Sequence, residues 1–285
     1  GMECHSQHPA FMSTITPPYK EMAPICYEKG LTPIAERDIS MISVSDKIAK
    51  QWGISREQCD EFAARSQARL QEGYKNGTIG PEILPITIPA TKKTPEKVID
   101  TDEFPRAETT MEGLSKLRPI NADGVTTAGN SSGLNDGAAF LLVMTAEKAK
   151  ELGYEPIARW VTCAHVGYYE DLMGIAPCYS NLKALKLAGL ELKDIDVIEC
   201  NEAFAAQNLG VISQMEKETG KTIDQSKWNP NGGAISIGHP NGASGARISI
   251  FAMRQLEKTG GKYGVISACC GGGLGATAIV ENLRR

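Results

Sequence analysis

The sequence predicts an α/β fold in which a mostly parallel sheet is covered by helices. Three observations carry that expectation. From Ile157 onward, apolar runs of strand length at 157–164, 195–200, 234–237 and 263–269 alternate with helical patterns at about 181–188, 203–219 and 243–258. Residues 275–282 follow a glycine turn as a returning strand, so the chain closes on a hairpin. Three of the apolar runs also end on polar residues able to do chemistry. Asn201 follows Val197-Ile198-Glu199-Cys200, His239 follows Ala234-Ile235-Ser236-Ile237, and Cys269 follows Val265-Ile266-Ser267-Ala268. In open α/β sheets ligands bind in the crevice beyond the strand ends, where such groups converge.

The earlier part of the chain is less regular. Residues 6–40 are broken by Pro9, Pro17, Pro18, Pro24 and Pro33. A helix is expected over 45–52. A better one starts at Ser55, where Ser55-Arg56-Glu57-Gln58 is a capping box, with a serine oxygen and a glutamine satisfying orphan amides. Cys59, Phe62, Ala63, Ser66 and Leu70 then recur at helical spacing up to about Tyr74, and Asn76-Gly77 ends the helix. Residues 83–88 read as an edge or bulged strand because of Pro85. Residues 91–110 read as exposed loop, and 111–117 as a short helix stopped by Arg118-Pro119. The run of small and hydroxyl residues from Thr126 to Gly137 reads equally well as a loop that lets a ligand approach the backbone or as a plain polar turn. Residues 138–144 read as an apolar strand, and Thr145 caps a helix through Leu152 before Gly153.

Composition narrows the function classes. With 285 residues, 41% hydrophobic and 22% charged, the chain has material for one large or two ordinary domains. A formal net charge of −4 provides no sequence-wide basic field to recruit nucleic acid. No apolar run approaches bilayer length and no signal-peptide pattern is present, so no membrane partner and a cytoplasmic or matrix-like compartment are expected. The eight cysteines are scattered without a C-x-x-C pair, so neither a disulfide framework nor a zinc site is suggested, and no metal is expected. Only Cys269 and Cys270 sit beside a glycine run.

An amide, an imidazole and a thiol suit acyl chemistry: the amide holds an oxyanion or a water, the imidazole moves protons, and the thiol attacks or exchanges a proton. Each also has a bland reading. His239 alone is as readily a histidine in a glycine-rich turn, Cys269 a buried structural cysteine, Asn201 a helix cap and Glu202 a first-turn partner of the helix dipole. Three such groups after three successive apolar runs favour the functional reading. Gly271, Gly272 and Gly273 also leave backbone N–H groups free for an oxyanion.

These residues resemble a known family. Asn201-Glu202-Ala203-Phe204, then Gly238-His239-Pro240-x-Gly242 with Ala243-Ser244-Gly245-Ala246-Arg247, then Cys269-x-Gly271-Gly272-Gly273 are similar to the three C-terminal signatures of the thiolases. Upstream, Gly1-Met2-Glu3 with Ser6 resembles the family's G-G-M-E-x-M-S segment. Gln51 to Glu57 and Lys116-Leu117-Arg118-Pro119 resemble its loop domain, and Thr127 to Gly133 its CoA-binding loop. The resemblance implies an acetyl-CoA C-acetyltransferase or acyltransferase that carries out reversible Claisen condensation and thiolysis. Coenzyme A thioesters would be its substrates, and no separate cofactor is implied. By position, Cys269 would be the acid/base, His239 would activate the nucleophile, Asn201 would hold an oxyanion-hole water, and Gly271 would donate to a second oxyanion. Arg118, Ala128, Ser132 and Phe204 would line the CoA channel, and Cys270 would be a bystander.

Two departures stand out. The nucleophile's C-x-S-G motif does not occur in these residues, and Cys4 lacks its context. Ser40-Met41-Ile42-Ser43 also stands where many members have a His-Met-Gly-type stretch. The expectation is therefore a thiolase-like α/β fold with a C-terminal βαβαβ(ββ)-type domain at 155–285 and an inserted α-rich loop domain at 6–133. Residues 1–5 and 134–154 would be remnants of an N-terminal thiolase half that is largely absent. A partner supplying the nucleophile, or a homo-oligomer, would cover the apolar face this exposes. The alternative is a degenerate protein of the same fold that holds CoA or a partner without catalysis.

Overall fold

Serine and threonine caps decide where several helices begin. In the computed structural model, which describes residues 1–7, 31–32 and 38–285, a short strand β1 (Met2–Glu3) comes first. Helix α1 spans Met41–Trp52 because the Ser40 hydroxyl accepts from the Ser43 N–H, and Gly53 at φ +65° ends it. It starts four residues before the expected 45, since the apolar pattern does not register a cap lying upstream of the periodic face. Helix α2 (Arg56–Lys75) has the full Ser55–Gln58 capping box and buries Cys59, Phe62, Ala63, Ser66 and Leu70, as the spacing requires. Of the irregular stretch expected over 6–40, residues 8–30 and 33–37 lie outside the described residues.

The strand expected at 83–88 shortens to β2 (Ile86–Ile88), because Pro85 carries no N–H for a ladder. It pairs antiparallel with β3 (Lys97–Ile99), inside the segment expected to be only loop. Helix α3 (Met111–Ser115) follows its Thr110 cap. The apolar run at 138–144 does not form the expected strand. Only β4 (Gly137–Ala138) pairs with β1, and the pairing runs one residue further, where Ala139 exchanges backbone hydrogen bonds with Gly1. Beyond it Phe140, Leu142 and Val143 are 80%, 73% and 76% exposed. Apolar, strand-prone residues make a strand only where a neighbouring backbone takes up their hydrogen bonds. Helix α4 (Ala146–Leu152) is capped by Thr145 as expected.

The remaining elements form the body of the fold: β5 (Ala158–Gly167), α5 (Ala176–Ala188), β6 (Ile195–Cys200), α6 (Ala205–Thr219), α7 (Ala234–Ile237), α8 (Asn241–Thr259), β7 (Tyr263–Cys270) and β8 (Leu274–Asn282). The four long strands make one sheet in the order β5-β8-β7-β6. Only the β6–β7 pair is parallel, so the mostly parallel sheet is corrected to a mixed one. The cause is the closing hairpin, which lays β8 antiparallel between β7 and β5. A second correction concerns 234–237, expected as a strand and found as the single helical turn α7. Gly232 at φ +73° and Gly238 at φ +99° turn the chain at its two ends.

Alternation along the strands fills two layers. Ile198, Val265 and Ile279 join the larger core with residues of α1, α2, α5 and α6. Their neighbours Val197, Ile266, Ala278 and Val280 pack with Ile248, Ala252 and Leu256 of α8 on the other face. The sheet is thus covered on both sides, and its β6 and β7 ends lie beside the start of α8.

Replacing Ser55 with alanine removes one half of the capping box. Denaturant unfolding of Ser55→Ala is expected to show a loss of about 1 kcal/mol with an unchanged slope.

Candidate active site

At the end of β6 the Asn201 N–H donates to the Ser267 carbonyl of β7 at 2.8 Å, so the ladder carries on one residue past the strand. Cys269 lies two residues further along β7 and so on the same face as Ser267. The Asn201 side chain is 2% exposed, and its Nδ2 lies 3.2 Å from His239 Nε2. The other ring nitrogen, Nδ1, is 2.6 Å from Ser244 Oγ, whose hydroxyl donates to the Pro240 carbonyl at 3.1 Å. With that proton engaged, Ser244 Oγ accepts from Nδ1–H. Nε2 is therefore the bare nitrogen and accepts from Asn201. Asn201 Oδ1 is buried and has no hydrogen-bond partner among the described residues.

His239 is held from a second direction by the Thr126–Gly137 segment. Its N–H donates to the Gly133 carbonyl and to Asn135 Oδ1. A Cβ on Gly238 would fall 2.5 Å from Asn135, and the residue has positive φ besides, so glycine is required there. The same segment is laced to the Asn-Glu-Ala-Phe turn. Ser132 N–H donates to the Ala203 carbonyl at 3.0 Å, Ala205 N–H to the Asn130 carbonyl at 3.0 Å, and Ser131 bridges Phe204. The segment is therefore a built loop and not a plain turn. The structure brings Ser132, Phe204, Asn201 and His239 into one assembly, with exposed Ala128 at its edge. Arg118 is exposed and makes no contact with the Asn201–His239 pair. It follows Leu117, which with Leu114 packs against Gly129. Gly271 sits in the β7–β8 turn, where a Cβ would meet Leu31.

Three carboxylates that sequence reasoning did not single out as anchors hold this arrangement. Asp46 accepts from the Val125 and Thr126 N–H groups at 3.0 Å each and from the Asn121 amide at 2.8 Å. Asp60 accepts from Asn130 Nδ2 at 2.9 Å and pairs with Arg56 at 2.7 Å. Glu202 is 1% exposed and accepts from Ser66 Oγ at 2.6 Å, Asn229 Nδ2 at 2.9 Å and the Ile235 N–H at 3.3 Å. It is thus a buried anchor and not a surface partner of the helix dipole. The one available signal was a carboxylate on an otherwise buried helix face, Asp60 beside Cys59.

Burial sets the protonation states. It pushes the His239 imidazole down to about 4, with Arg247 adding to the effect, so the ring is neutral at ordinary pH. It pushes the Cys269 thiol up to about 12, with Cys270 adding, so the resting group is a thiol. The Glu202 carboxyl also rises, since desolvation outweighs its hydrogen bonds. Cys270 and Cys4 are exposed, and Cys4 Sγ lies 3.7 Å from Asp136. Among the described residues no group of three or more His, Cys, Asp or Glu side chains is placed to hold a metal, and no helix is long and apolar enough to cross a membrane.

The structure defines a class: an α/β protein with two layers on a mixed sheet, an asparagine–histidine pair at its strand ends and a half-buried cysteine, Cys269, on the neighbouring strand. Sequence profiles narrow the class. The thiolase N-terminal domain matches residues 1–147 and the thiolase C-terminal domain matches 154–282. The chain belongs to the thiolase family. The match over 1–147 does not support an N-terminal half that is largely absent. Acetyl-CoA acetyltransferase of Allochromatium vinosum is 47% identical over 85% of this chain and 60% of its own length. Beta-ketoadipyl-CoA thiolase of Acinetobacter baylyi is 45% identical over 86% of this chain and again 60% of its own. The chain therefore spans about 60% of the length of these relatives. The crystal structure of Bacillus anthracis acetyl-CoA acetyltransferase superposes with a TM-score of 0.90 at 38% identity, covering 99% of this chain and 71% of that one.

The depressed His239 value has a thermodynamic consequence. Between about pH 6.5 and pH 4 the unfolded chain binds a proton that the folded chain refuses, so stability falls as pH falls through that window. The His239 contribution is at most roughly 3 kcal/mol. Unfolding free energies of wild type and His239→Gln, measured from about pH 7 to about pH 4, should show the shallower decline in the variant.

Proposed function

We propose that this chain supplies the proton-transfer half of a thiolase-type acyltransferase acting in the reversible Claisen condensation and thiolysis of acyl-CoA thioesters. The observation that carries the reading is the Asn201–His239 contact at 3.2 Å, with Cys269 on the neighbouring strand. In the cleavage direction a nucleophilic thiolate bonds to the β-carbonyl carbon of a β-ketoacyl thioester, the Cα–Cβ bond breaks to leave the acyl group on that sulfur, and the released electron pair takes the proton of the Cys269 thiol. In condensation the Cys269 thiolate removes the α-proton of acetyl-CoA. Cys269 at rest as a thiol is the proton-donating form.

His239, neutral with Nε2 bare, is suited to accept the proton of a nucleophilic thiol and then, protonated at Nε2, to donate to a thioester oxygen. The unpartnered Oδ1 of Asn201 is suited to hold a water beside that oxygen. The Gly271 N–H serves a second oxyanion. Ala128, Ser132 and Phe204 line the approach of CoA, with Arg118 further out on the loop domain. The nucleophile is assigned to residues outside these 285, on the same polypeptide or another. The exposed apolar segment at Phe140, Leu142 and Val143 is suited to meet such a partner or a second copy of the chain. Pairing of Met2–Glu3 with Gly137–Ala138 supports treating residues 1–5 and 134–154 as parts of one N-terminal domain, around an inserted loop domain at 6–133 and ahead of a C-terminal domain at 155–285.

Proton abstraction can be read without the nucleophile. The chain in deuterated buffer is expected to exchange the methyl protons of acetyl-CoA, followed by NMR, faster than buffer alone. Cys269→Ala should lower the catalysed rate by about 100-fold or more, while Cys270→Ala and Cys4→Ala leave it intact. Exchange no faster than buffer, with CoA still bound, would leave the chain as a CoA-holding protein without catalysis.

A further inference from the structure

The turn between β7 and β8 has no side chain with which to hold itself. Gly271, Gly272 and Gly273 fill it, and the last two lie at φ +81° and +84°. Bare residues at positive φ give the backbone wide freedom, so a fixed turn must be gripped from outside. Leu31 lies against Gly271 on one side. A second grip comes from the end of β5. The β5–β8 ladder closes at Gly167 and Leu274, and one residue further the Tyr168 N–H donates to the Gly273 carbonyl at 2.6 Å. A Cβ on Gly273 would fall 2.3 Å from the Tyr168 carbonyl oxygen, so the two backbones are pressed together there.

A hydrogen bond past the last rung of a ladder frays unless one of its strands is tied down. Tyr168 is tied by its ring. The ring stacks on Tyr179 of α5 with centroids 4.9 Å apart and planes at 27°, and Tyr169 meets it edge-on at 5.1 Å. Tyr179 is fixed in turn. Its hydroxyl accepts from Gln214 Nε2 of α6 at 3.1 Å and donates to Glu218 Oε1 of the same helix at 3.4 Å. Gln214 Oε1 accepts from Trp52 Nε1 of α1 at 3.1 Å. Helices α1, α5 and α6 therefore converge through one aromatic stack on one peptide group, and that peptide group holds Gly273.

We propose that Tyr168 is a positioning residue of the β7–β8 turn: its ring, held on Tyr179, fixes the peptide that bonds Gly273 and so sets the path of the turn that carries the Gly271 N–H. Its weight in the reaction rests on the role of Gly271 given under the proposed function. The fixing of the turn does not depend on that role and is read separately.

Proton–nitrogen NMR of the whole chain, assigned along the backbone, reads the turn through the amides of Gly271, Gly272 and Gly273. Wild type is expected to give one sharp signal for each. Tyr168→Ala should shift and broaden these signals and speed their exchange with solvent, while the amides of β6 and α8 stay in place. Tyr168→Phe keeps the ring and should keep the wild-type signals. Tyr179→Leu removes the other half of the stack and should reproduce the Tyr168→Ala spectrum, and it serves alone where Tyr168→Ala does not fold. In the acetyl-CoA proton-exchange assay, Tyr168→Ala should lower the rate at saturating acetyl-CoA by roughly 10-fold or more, with the half-saturating concentration unchanged and Tyr168→Phe at the wild-type rate. Wild-type glycine signals in Tyr168→Ala or in Tyr179→Leu overturn the proposal. Changed signals in Tyr168→Phe overturn it as well, since the hydroxyl and not the stack would then hold the turn, and so do changes spread evenly over the chain. A wild type that exchanges no acetyl-CoA protons, with glycine signals that still follow the ring, would disprove the catalytic reading and leave the positioning role standing.

Discussion

The buried carboxylate of Glu202 fastens together parts of the chain that lie far apart in sequence. One oxygen takes the Ser66 hydroxyl of α2 and the N–H of Ile235 in α7, and the other takes the amide of Asn229. Through these bonds the loop region, the turn that leads to His239 and the end of β6 become one rigid body. Gly233 belongs to the same constraint. A Cβ there would fall 2.5 Å from the Glu202 carboxyl carbon, so the backbone must pass bare beside the anion. A residue next to Asn201 thereby positions the histidine that Asn201 touches. It does so by holding the route into the turn while making no contact with the ring.

Asp46 and Asp60 do comparable work on the loop of small residues. A segment such as Thr127-Ala128-Gly129-Asn130-Ser131-Ser132-Gly133 has no apolar face to bury and would otherwise stay mobile. Asp46, taking the Val125 and Thr126 N–H groups just before it, and Asp60, taking its Asn130 amide, give it a fixed path instead. The fixed path then offers its own carbonyls, Gly133 to His239 and Asn130 to Ala205. Hydrogen bonds from buried ionic groups are stronger than neutral ones, which suits them to hold irregular backbone where a helix or sheet ladder is not available.

How much of this was legible in the sequence depends on how local the cause is. The Ser55 capping box, the buried stripe of α2 and the strand β6 follow from spacings within a few residues, and each formed where the pattern put it. The turn α7 did not. Ala-Ile-Ser-Ile is strand-like by composition, and what coils it is Gly232, Gly238 and the Ser236 hydroxyl, together with Glu202 reaching the Ile235 N–H. The run at 138–144 failed for the opposite reason, since its residues favour a strand but the pairing stops at Ala139, which meets Gly1. Asn201 and His239 were readable as candidates because turn glycines and polar groups mark them locally, and the structure brings the two side chains to 3.2 Å. Glu202, Asp60 and Asp46 were not readable as anchors, because a buried carboxylate owes its role to partners dozens of residues away.

The electrostatic character of the site follows from the same burial. Desolvation leaves His239 neutral and Cys269 as a thiol, and it raises the Glu199 and Glu202 carboxyls. A crevice built from neutral groups offers little countercharge before a reaction begins. On the proposed reading, an oxyanion formed there is stabilised by oriented dipoles, the backbone N–H groups at Gly271 to Gly273 and a water held by Asn201. Such dipoles are already fixed, by the β7–β8 turn in one case and by the β6–β7 ladder in the other, so little reorganisation is required when charge appears.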